Sequence, residues 1–209
     1  PRKESSAASD VYKRQTFMQA QWLRYPNSQV YAFDLGYSNY VLTKALGGQH
    51  YDLGGTRSKL SFCPLYDIQT ELDQAQAVQW IVGCMEMQGV KLDAARRGLI
   101  LAAIQQLAPS EDKSLTKFQA LLQDREMREA MTPYTLKGAM GHLLDGKENT
   151  IKFSRFVTFE LESLMKMGEE NYAPLLLYIF SQIERRLKGQ PTFVPCLLYT
   201  SDAADDSLR

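Results

Sequence analysis

The chain has 209 residues, of which 44% are hydrophobic and 23% are charged, a balance typical of one globular domain with a sizeable core. Its 24 Lys and Arg residues equal its 24 Asp and Glu residues, so the net charge gives no electrostatic reason to expect a nucleic-acid or acidic-membrane partner. The longest apolar run, Ala173 to Phe180, is too short to cross a bilayer, and the three cysteines and two histidines show neither a disulfide framework nor a metal-ligand spacing.

Both ends of the chain carry a pattern that is unusual for protein termini. Residues 5–15 read SSAASDVYKRQ and residues 196–206 read CLLYTSDAADD. One DNA string can encode the first segment while its reverse complement encodes the second, as a sequencing adaptor joined to both ends of a DNA piece would. Polar disordered termini would explain the composition but not this complementarity. We therefore expect residues 1–15 and 195–209 to be non-native, adaptor-derived tails in which Cys196 has no function.

Helical and β-prone segments alternate in the first part of the remaining chain. Residues 16–24 predict the last turns of a helix that ends before Pro26. A β-prone run at residues 29–33 ends on Asp34, residues 39–46 predict a helix, and residues 49–53 predict a second strand. This order of helix, strand, helix and strand is typical of a parallel α/β sheet.

The middle of the chain predicts an all-helical insertion over residues 67–150. Amphipathic stripes cover residues 68–87 and 94–107, and shorter helical patterns cover residues 115–122 and 124–131. The α/β pattern then resumes. Residues 153–161 alternate as a strand does, residues 169–188 predict a long helix with a basic end, and residues 191–194 begin a further strand.

Carboxylates at two predicted strand ends are candidates for chemistry. Asp34 ends the first strand at the carboxyl edge of the predicted sheet, where such folds bind ligands, although it could instead cap the next helix or form a turn hydrogen bond. Glu160 and Glu162 flank Leu161, so both are expected on one face of a strand. They could act as paired acid and base, or form a solvated strand end. His142 has no nucleophile or metal partner nearby in the sequence, which favours a loop or turn histidine.

Seven segments follow one another along the chain: WLRYP at 22–26, YAFDLG at 31–36, ALGGQHYDLGG at 45–55, LSFCPL at 60–65, PYTLKGAMGHLLDG at 133–146, SRFVTFELESLM at 154–165 and LLYIFSQIERRLKGQPTFV at 176–194. In order and spacing they resemble the conjugal transfer (type IV secretion) ATPases of the TrbE and CagE type. None of these segments is a catalytic signature. The resemblance therefore depends on their number and order across residues 16–194.

The resemblance implies a partial RecA-like P-loop NTPase core with an all-helical insertion. In this family the phosphate-binding loop lies just before the helix that ends at Arg24, and the acidic strand that holds Mg²⁺ should follow Val194. We therefore expect the parent protein to hydrolyse ATP with Mg²⁺ and so to power pilus assembly or substrate export. Residues 16–194 alone should bind no cofactor or metal and should be inactive.

The resemblance also implies partners and a location for the parent protein. We expect a homo-oligomer that contacts other secretion-channel components at the cytoplasmic face of the bacterial inner membrane, without direct nucleic-acid binding. In such an oligomer an arginine of one subunit can stabilise the phosphate charge bound by its neighbour. The candidates are Arg155, Arg185 and Arg186, against the alternative that they are ordinary surface arginines.

Two other functions remain open at this stage. The first is a non-enzymatic interaction module in which residues 67–150 provide the partner surface. The second is a DNA-pumping ATPase of the related translocase type, which would need basic or aromatic pore loops, and the sequence shows no convincing one.

Overall fold

The computed structural model describes residues 13–55 and 60–197, which form two compact units. The sheet unit contains described residues 13–55, 152–166 and 183–197. The helical unit contains described residues 60–151 and 167–182.

The elements follow one another along the chain in an order close to the predicted one. In the first part they are α1 at 13–22, β1 (Gln29–Asp34), α2 (Tyr40–Ala45), β2 (Gln49–Asp52), α3 (Glu71–Met87), α4 (Ala94–Leu107), α5 (Leu115–Leu121) and α6 (Arg125–Met131). A 3-10 turn at Thr132–Tyr134 follows, and then α7 (Gly141–Leu144), β3 (Phe156–Glu160), α8 (Glu162–Met165), α9 (Glu169–Glu184), β4 (Thr192–Phe193) and β5 (Cys196–Leu197).

The sheet unit is built on a parallel sheet with the strand order β2-β3-β1-β4. β5 also pairs in parallel with β1, beyond β4 along the same edge. Every residue of β3 is buried, as are five of the six residues of β1, because these two strands have a neighbour on each side. This explains their nearly continuous apolar sequences. The predicted parallel α/β class is confirmed.

β5 falls in the segment that we expect to be adaptor-derived. Cys196 and Leu197 pair with Phe33 and Asp34 of β1, and Leu197 is buried. An apolar pair in extended conformation satisfies the edge of β1 whatever its origin. Residues 13–15 of the other expected tail lie in α1, and the rest of both tails lies outside the described residues. The adaptor origin therefore stays a prediction.

The four longer helices of the helical insertion begin at side-chain caps. The caps are Thr70, Asp93, Ser114 and Asp124, and each accepts a hydrogen bond from a backbone N–H three residues later. Such caps satisfy donors that the first helical turn leaves without partners. The cap at Thr70 also explains why α3 begins later than the predicted start at residue 68.

Helix α9 contains a proline, which breaks its backbone hydrogen-bond ladder. Pro174 has no N–H to donate to the carbonyl oxygen of Glu170. Within the helical unit, the Tyr134 hydroxyl donates to this oxygen at 2.6 Å and Gln88 Nε2 donates to it at 3.4 Å. The indole N–H of Trp80 donates to the carbonyl oxygen of Pro174 at 2.9 Å. Side chains from other elements therefore replace the lost bond.

Helix α9 is shorter than the sequence predicts. It ends at Glu184 rather than at residue 188, because the chain turns there through Arg186 N–H to Ile183 O and Leu187 N–H to Glu184 O. The predicted basic helix end therefore lies in a turn. Among the described residues, no helix combines the length and the apolar character that a bilayer-spanning segment requires.

Candidate functional site

Three carboxylates lie side by side at the carboxyl edge of the sheet. Asp34, Glu160 and Asp52 are the last residues of β1, β3 and β2, and the strand register pairs Glu160 with both aspartates. Residues that are paired in register point to the same face of a sheet. Parallel α/β sheets bind their ligands at this edge. We call these three residues the acid row.

Glu160 lies at the centre of the acid row and is completely buried. Its carboxylate accepts hydrogen bonds from the backbone N–H groups of Gly36 at 3.0 Å, Tyr37 at 2.6 Å and Glu162 at 2.9 Å. Gly36 and Tyr37 both have positive φ, so their successive N–H groups point at the carboxylate. Burial raises the pKa of Glu160 above its ordinary value, and these bonds oppose the rise.

Asp34 is also completely buried and holds the start of the next helix. One carboxylate oxygen accepts a hydrogen bond from the Ser38 hydroxyl, and the other accepts one from the backbone N–H of Asn39 at 2.7 Å. These are the helix-start contacts that the sequence offered as the alternative to a ligand role. Both roles remain compatible, because a carboxylate has about four acceptor positions.

His50 is brought to the acid row by the pairing of β2 with β3. A nitrogen of its ring and one oxygen each from Asp34 and Glu160 lie within 4.8 Å of one another. The ring stacks on Tyr37 and meets Tyr40 edge-on, with centroids 5.7 and 4.9 Å away. Burial lowers the pKa of His50, while the carboxylates of Asp34 and Asp52 oppose this change.

Asp52, the third residue of the acid row, is bonded to a tyrosine hydroxyl. The Tyr37 hydroxyl donates to Asp52 Oδ2 at 2.7 Å; this bond first, and then burial and the nearby carboxylates, raise the pKa of Tyr37 to about 12. The other oxygen, Asp52 Oδ1, is buried without a hydrogen-bond partner. The phenol therefore remains a protonated donor at neutral pH and fixes one side of the turn at Gly36 and Tyr37.

A buried polar layer adjoins the row on the α2 side of the sheet. Asn39 Nδ2 donates to Gln19 Oε1 at 2.9 Å and to Thr158 Oγ1 at 3.0 Å, and the hydroxyls of Thr43 and Thr158 are 2.7 Å apart. Asn39 Oδ1 and Gln19 Nε2 are buried without partners. Such unsatisfied atoms are rare in folded proteins. This face of the sheet therefore contains buried polar groups in addition to apolar side chains.

Comparison with known proteins identifies the family. The chain is 40% identical over 179 residues to a Sinorhizobium fredii protein described as a probable conjugal transfer protein TrbE, covering 84% of this chain and 27% of that protein. It is also 40% identical over 181 residues to "Conjugal transfer protein TrbE" of Rhizobium radiobacter, covering 84% of this chain and 22% of that protein. The chain belongs to the TrbE family. No family model matches it.

This TrbE-family chain spans about a quarter of the length of the curated relatives that it matches. Its fold is similar to VirB4 of Thermoanaerobacter pseudethanolicus, with a TM-score of 0.68 and 13% identity, covering 90% of this chain and 57% of that one. At this identity the likeness shows the fold alone. It confirms the expected RecA-like arrangement of a parallel sheet and helices.

In the TrbE-family chain, Arg155 lies away from the acid row. It precedes β3 and is therefore at the opposite end of that strand from Glu160. Its guanidinium donates to the carbonyl oxygens of Leu23, Tyr25 and Ser28, at 2.9, 3.3 and 3.2 Å. These contacts fasten the segment after α1 to the sheet, so Arg155 has a structural role within one subunit.

The other two predicted arginines follow helix α9. The Arg186 guanidinium carbon lies 3.8 Å from the centre of the Phe153 ring, a cation–π contact beside the start of β3. Arg185 lies in the same turn and is half-buried. Neither residue is in the acid row. Whether any of the three arginines acts on a neighbouring subunit stays a prediction.

Glu162 does not share a strand face with Glu160. The strand ends at Glu160, and Glu162 begins α8, where it forms an i,i+4 ion pair with Lys166 at 2.9 Å. The expected pair on one strand was therefore wrong, because the backbone N–H of Glu162 turns back to bond Glu160. His142 is exposed in the short helix α7.

His50 and Asp52 are the site residues that the sequence analysis missed. The sequence signal was weak: they lie two residues apart in a β-prone run, which places both side chains on one face of a strand. Their closeness to Asp34 and Glu160 depends on strand order and register, which local patterns do not contain.

Proposed function

We propose that the chain is part of an ATP-hydrolysing motor that powers conjugative transfer through a type IV secretion system. The observation that supports this most directly is the 40% identity to proteins named conjugal transfer protein TrbE over 84% of the chain. The acid row adds support, because it lies at the sheet edge where RecA-like and related α/β folds bind nucleotides.

The chain's own residues do not supply a complete nucleotide site. The 209 residues contain no Gly-Lys-Ser or Gly-Lys-Thr sequence, so a phosphate-binding loop of the usual kind is absent from them. In the parent protein such a loop would hold ATP, and an acidic strand would hold Mg²⁺. In this proposal Asp34 and Glu160 fix the turn at residues 36–39 at the nucleotide edge, and the chain alone neither binds nor hydrolyses ATP.

Two proteins test this proposal. One is the 209-residue chain, and the other is a version extended through the flanking sequence of the parent gene in both directions. A fluorescent ATP analogue should show no saturable binding to the 209-residue chain at micromolar concentrations. It should bind the extended protein, which should also release phosphate from ATP.

The matched control is the extended protein with the phosphate-loop lysine changed to alanine, which should lose phosphate release. Micromolar binding by the 209-residue chain would contradict the proposed inactivity. An extended gene that encodes neither a phosphate loop nor an acidic strand would contradict the motor assignment itself.

We further propose that the parent protein works as a homo-oligomer with other channel components at the cytoplasmic face of the bacterial inner membrane. This proposal is supported by the relatives, which are named conjugal transfer protein TrbE, and by the membership of the chain in their family. Chemical cross-linking followed by membrane fractionation of cells that express the transfer genes tests this. Recovery of only monomer in the soluble fraction would contradict it.

A second candidate is that the helical unit is a non-enzymatic interaction module. The observation in its favour is that residues 60–151 and 167–182 form a compact unit that presents Leu72 and Leu136, each 69% exposed. The same extended gene distinguishes the two candidates. A parent without a phosphate loop would favour the module.

A further inference from the structure

The cluster of Asp34, His50 and Glu160 has the composition of a metal site. Each residue offers one ligand atom, and the three atoms lie within 4.8 Å of one another. Ligands about 2.1 Å from one ion lie at most roughly 4 Å apart, so a small side-chain rotation would close the set around a metal. Because the residues come from β1, β2 and β3, the sheet itself holds them in position.

The charge of the cluster is not balanced within the described part of the chain. Asp34 and Glu160 are completely buried, and within residues 13–55 and 60–197 neither forms an ion pair. Burying a carboxylate is costly unless a partner compensates it, and two neighbouring carboxylates increase the cost. The backbone N–H groups offset part of this cost but bring no full positive charge. A bound cation would supply that charge.

Ligand positions remain available after the hydrogen bonds are counted. A carboxylate has about four acceptor positions, of which Asp34 uses two and Glu160 uses three. His50 Nε2 is buried and has no hydrogen-bond partner.

A second unsatisfied group borders the cluster. Asn39 is 1% exposed, and its Oδ1 has no partner. Its backbone N–H donates to Asp34, and its Nδ2 donates to Thr158, which faces His50 in the β2–β3 pairing. Asn39 therefore contacts Asp34 directly and Thr158, the register neighbour of His50, and its own amide oxygen has no partner.

We propose that Asp34, His50 and Glu160 bind one divalent first-row transition-metal ion at the carboxyl edge of the sheet. Two carboxylates and one imidazole suit Mn²⁺, Fe²⁺, Co²⁺ or Zn²⁺, because the nitrogen ligand favours these ions over Mg²⁺ and Ca²⁺. The ion would neutralise the buried carboxylates and tie β2 to β1 and β3. This inference does not depend on the proposed motor function.

Mn²⁺ is the probe, because exposed Cys196 would attract Zn²⁺. The 209-residue chain is stripped with a chelator, and free Mn²⁺ is followed by electron paramagnetic resonance during a titration. We expect one ion per chain, bound at least 10-fold more tightly than Mg²⁺ in competition. His50→Gln should weaken the binding at least 10-fold.

The chain contains only two histidines, so His142→Gln is the matched control and should leave binding unchanged. Circular dichroism checks that each variant is folded. If His50→Gln does not fold, spin-echo spectroscopy of the wild-type complex gives the answer, because an imidazole ligand adds ¹⁴N modulation to the Mn²⁺ signal. Equal affinity in His50→Gln, the absence of saturable binding, or the absence of ¹⁴N modulation would overturn the proposal.

Discussion

The proline in α9 allows a test of how the helical unit satisfies a broken helix bond. Tyr134 is completely buried, and its hydroxyl donates at 2.6 Å to the Glu170 carbonyl that Pro174 leaves without an N–H partner. Tyr134→Phe should leave this carbonyl nearly unsatisfied, since the remaining donor, Gln88, is 3.4 Å away. A buried acceptor without a partner costs about 1–3 kcal/mol. We expect the free energy of unfolding to fall by about 2 kcal/mol.

A double-mutant cycle isolates the cause. In Pro174→Ala the backbone N–H of residue 174 can bond the Glu170 carbonyl, so this carbonyl no longer needs the tyrosine hydroxyl, which keeps its bond from Gln88 Nε2 at 2.9 Å. Tyr134→Phe should then cost less than about 1 kcal/mol, which gives a coupling of roughly 1–2 kcal/mol. Urea unfolding followed by circular dichroism at 222 nm measures all four proteins. Equal costs of Tyr134→Phe in both backgrounds would show that the hydroxyl does not compensate for the proline.

Two further predictions concern Asp145 and the cysteines. Asp145 is buried and accepts backbone N–H bonds at 2.9 and 2.7 Å, so Asp145→Ala should lower the free energy of unfolding by roughly 3–5 kcal/mol. The control is exposed Asp67→Ala, which should change the free energy of unfolding by less than about 0.5 kcal/mol. A similar small change in both variants would contradict the role of Asp145. Burial raises the pKa of Cys63 from 9.0 to about 11, so at pH 8 its thiolate fraction is roughly 100-fold below that of a free cysteine. A thiol reagent should therefore modify exposed Cys196 at least roughly 100-fold faster than Cys63. Because folding raises this pKa, the folded chain keeps a proton that the unfolded chain loses; this contribution to stability is complete below about pH 9 and is lost as the pH rises through about 11. Comparable labelling rates of Cys63 and Cys196, measured by mass spectrometry, would show that burial does not protect Cys63.

The sequence correctly predicted the helices and strands that are long enough for their apolar pattern to repeat several times. The strands β1 and β2 and the helices α3 to α6 were found within a few residues of their predicted places, because their apolar periods and caps are local signals. The four-residue helices α7 and α8 were missed, since they contain little more than one turn. The predicted strand at 153–161 shortened to Phe156–Glu160, as Phe153 and Arg155 are held by ring and carbonyl contacts instead.

The candidate site was predicted only incompletely. Asp34 and Glu160 each followed a recognisable strand, so the sequence indicated both as strand-end carboxylates. Their meeting with His50 and Asp52 depends on the parallel register of three strands that are far apart in the chain. Sequence patterns determine which face a residue takes within its strand, but they do not determine which strand becomes its neighbour.

The helical unit is formed by two separate stretches of the chain, which matters when the unit is to be expressed as an isolated piece. A piece cut at the apparent limits of the insertion, near residues 67 and 150, would omit α9. Trp80 and Tyr134 would then lose the acceptors that Pro174 and Glu170 provide. Because β3 and α8 separate the two stretches of this unit along the chain, a piece that keeps both stretches needs a linker between residues 151 and 167 in place of residues 152–166.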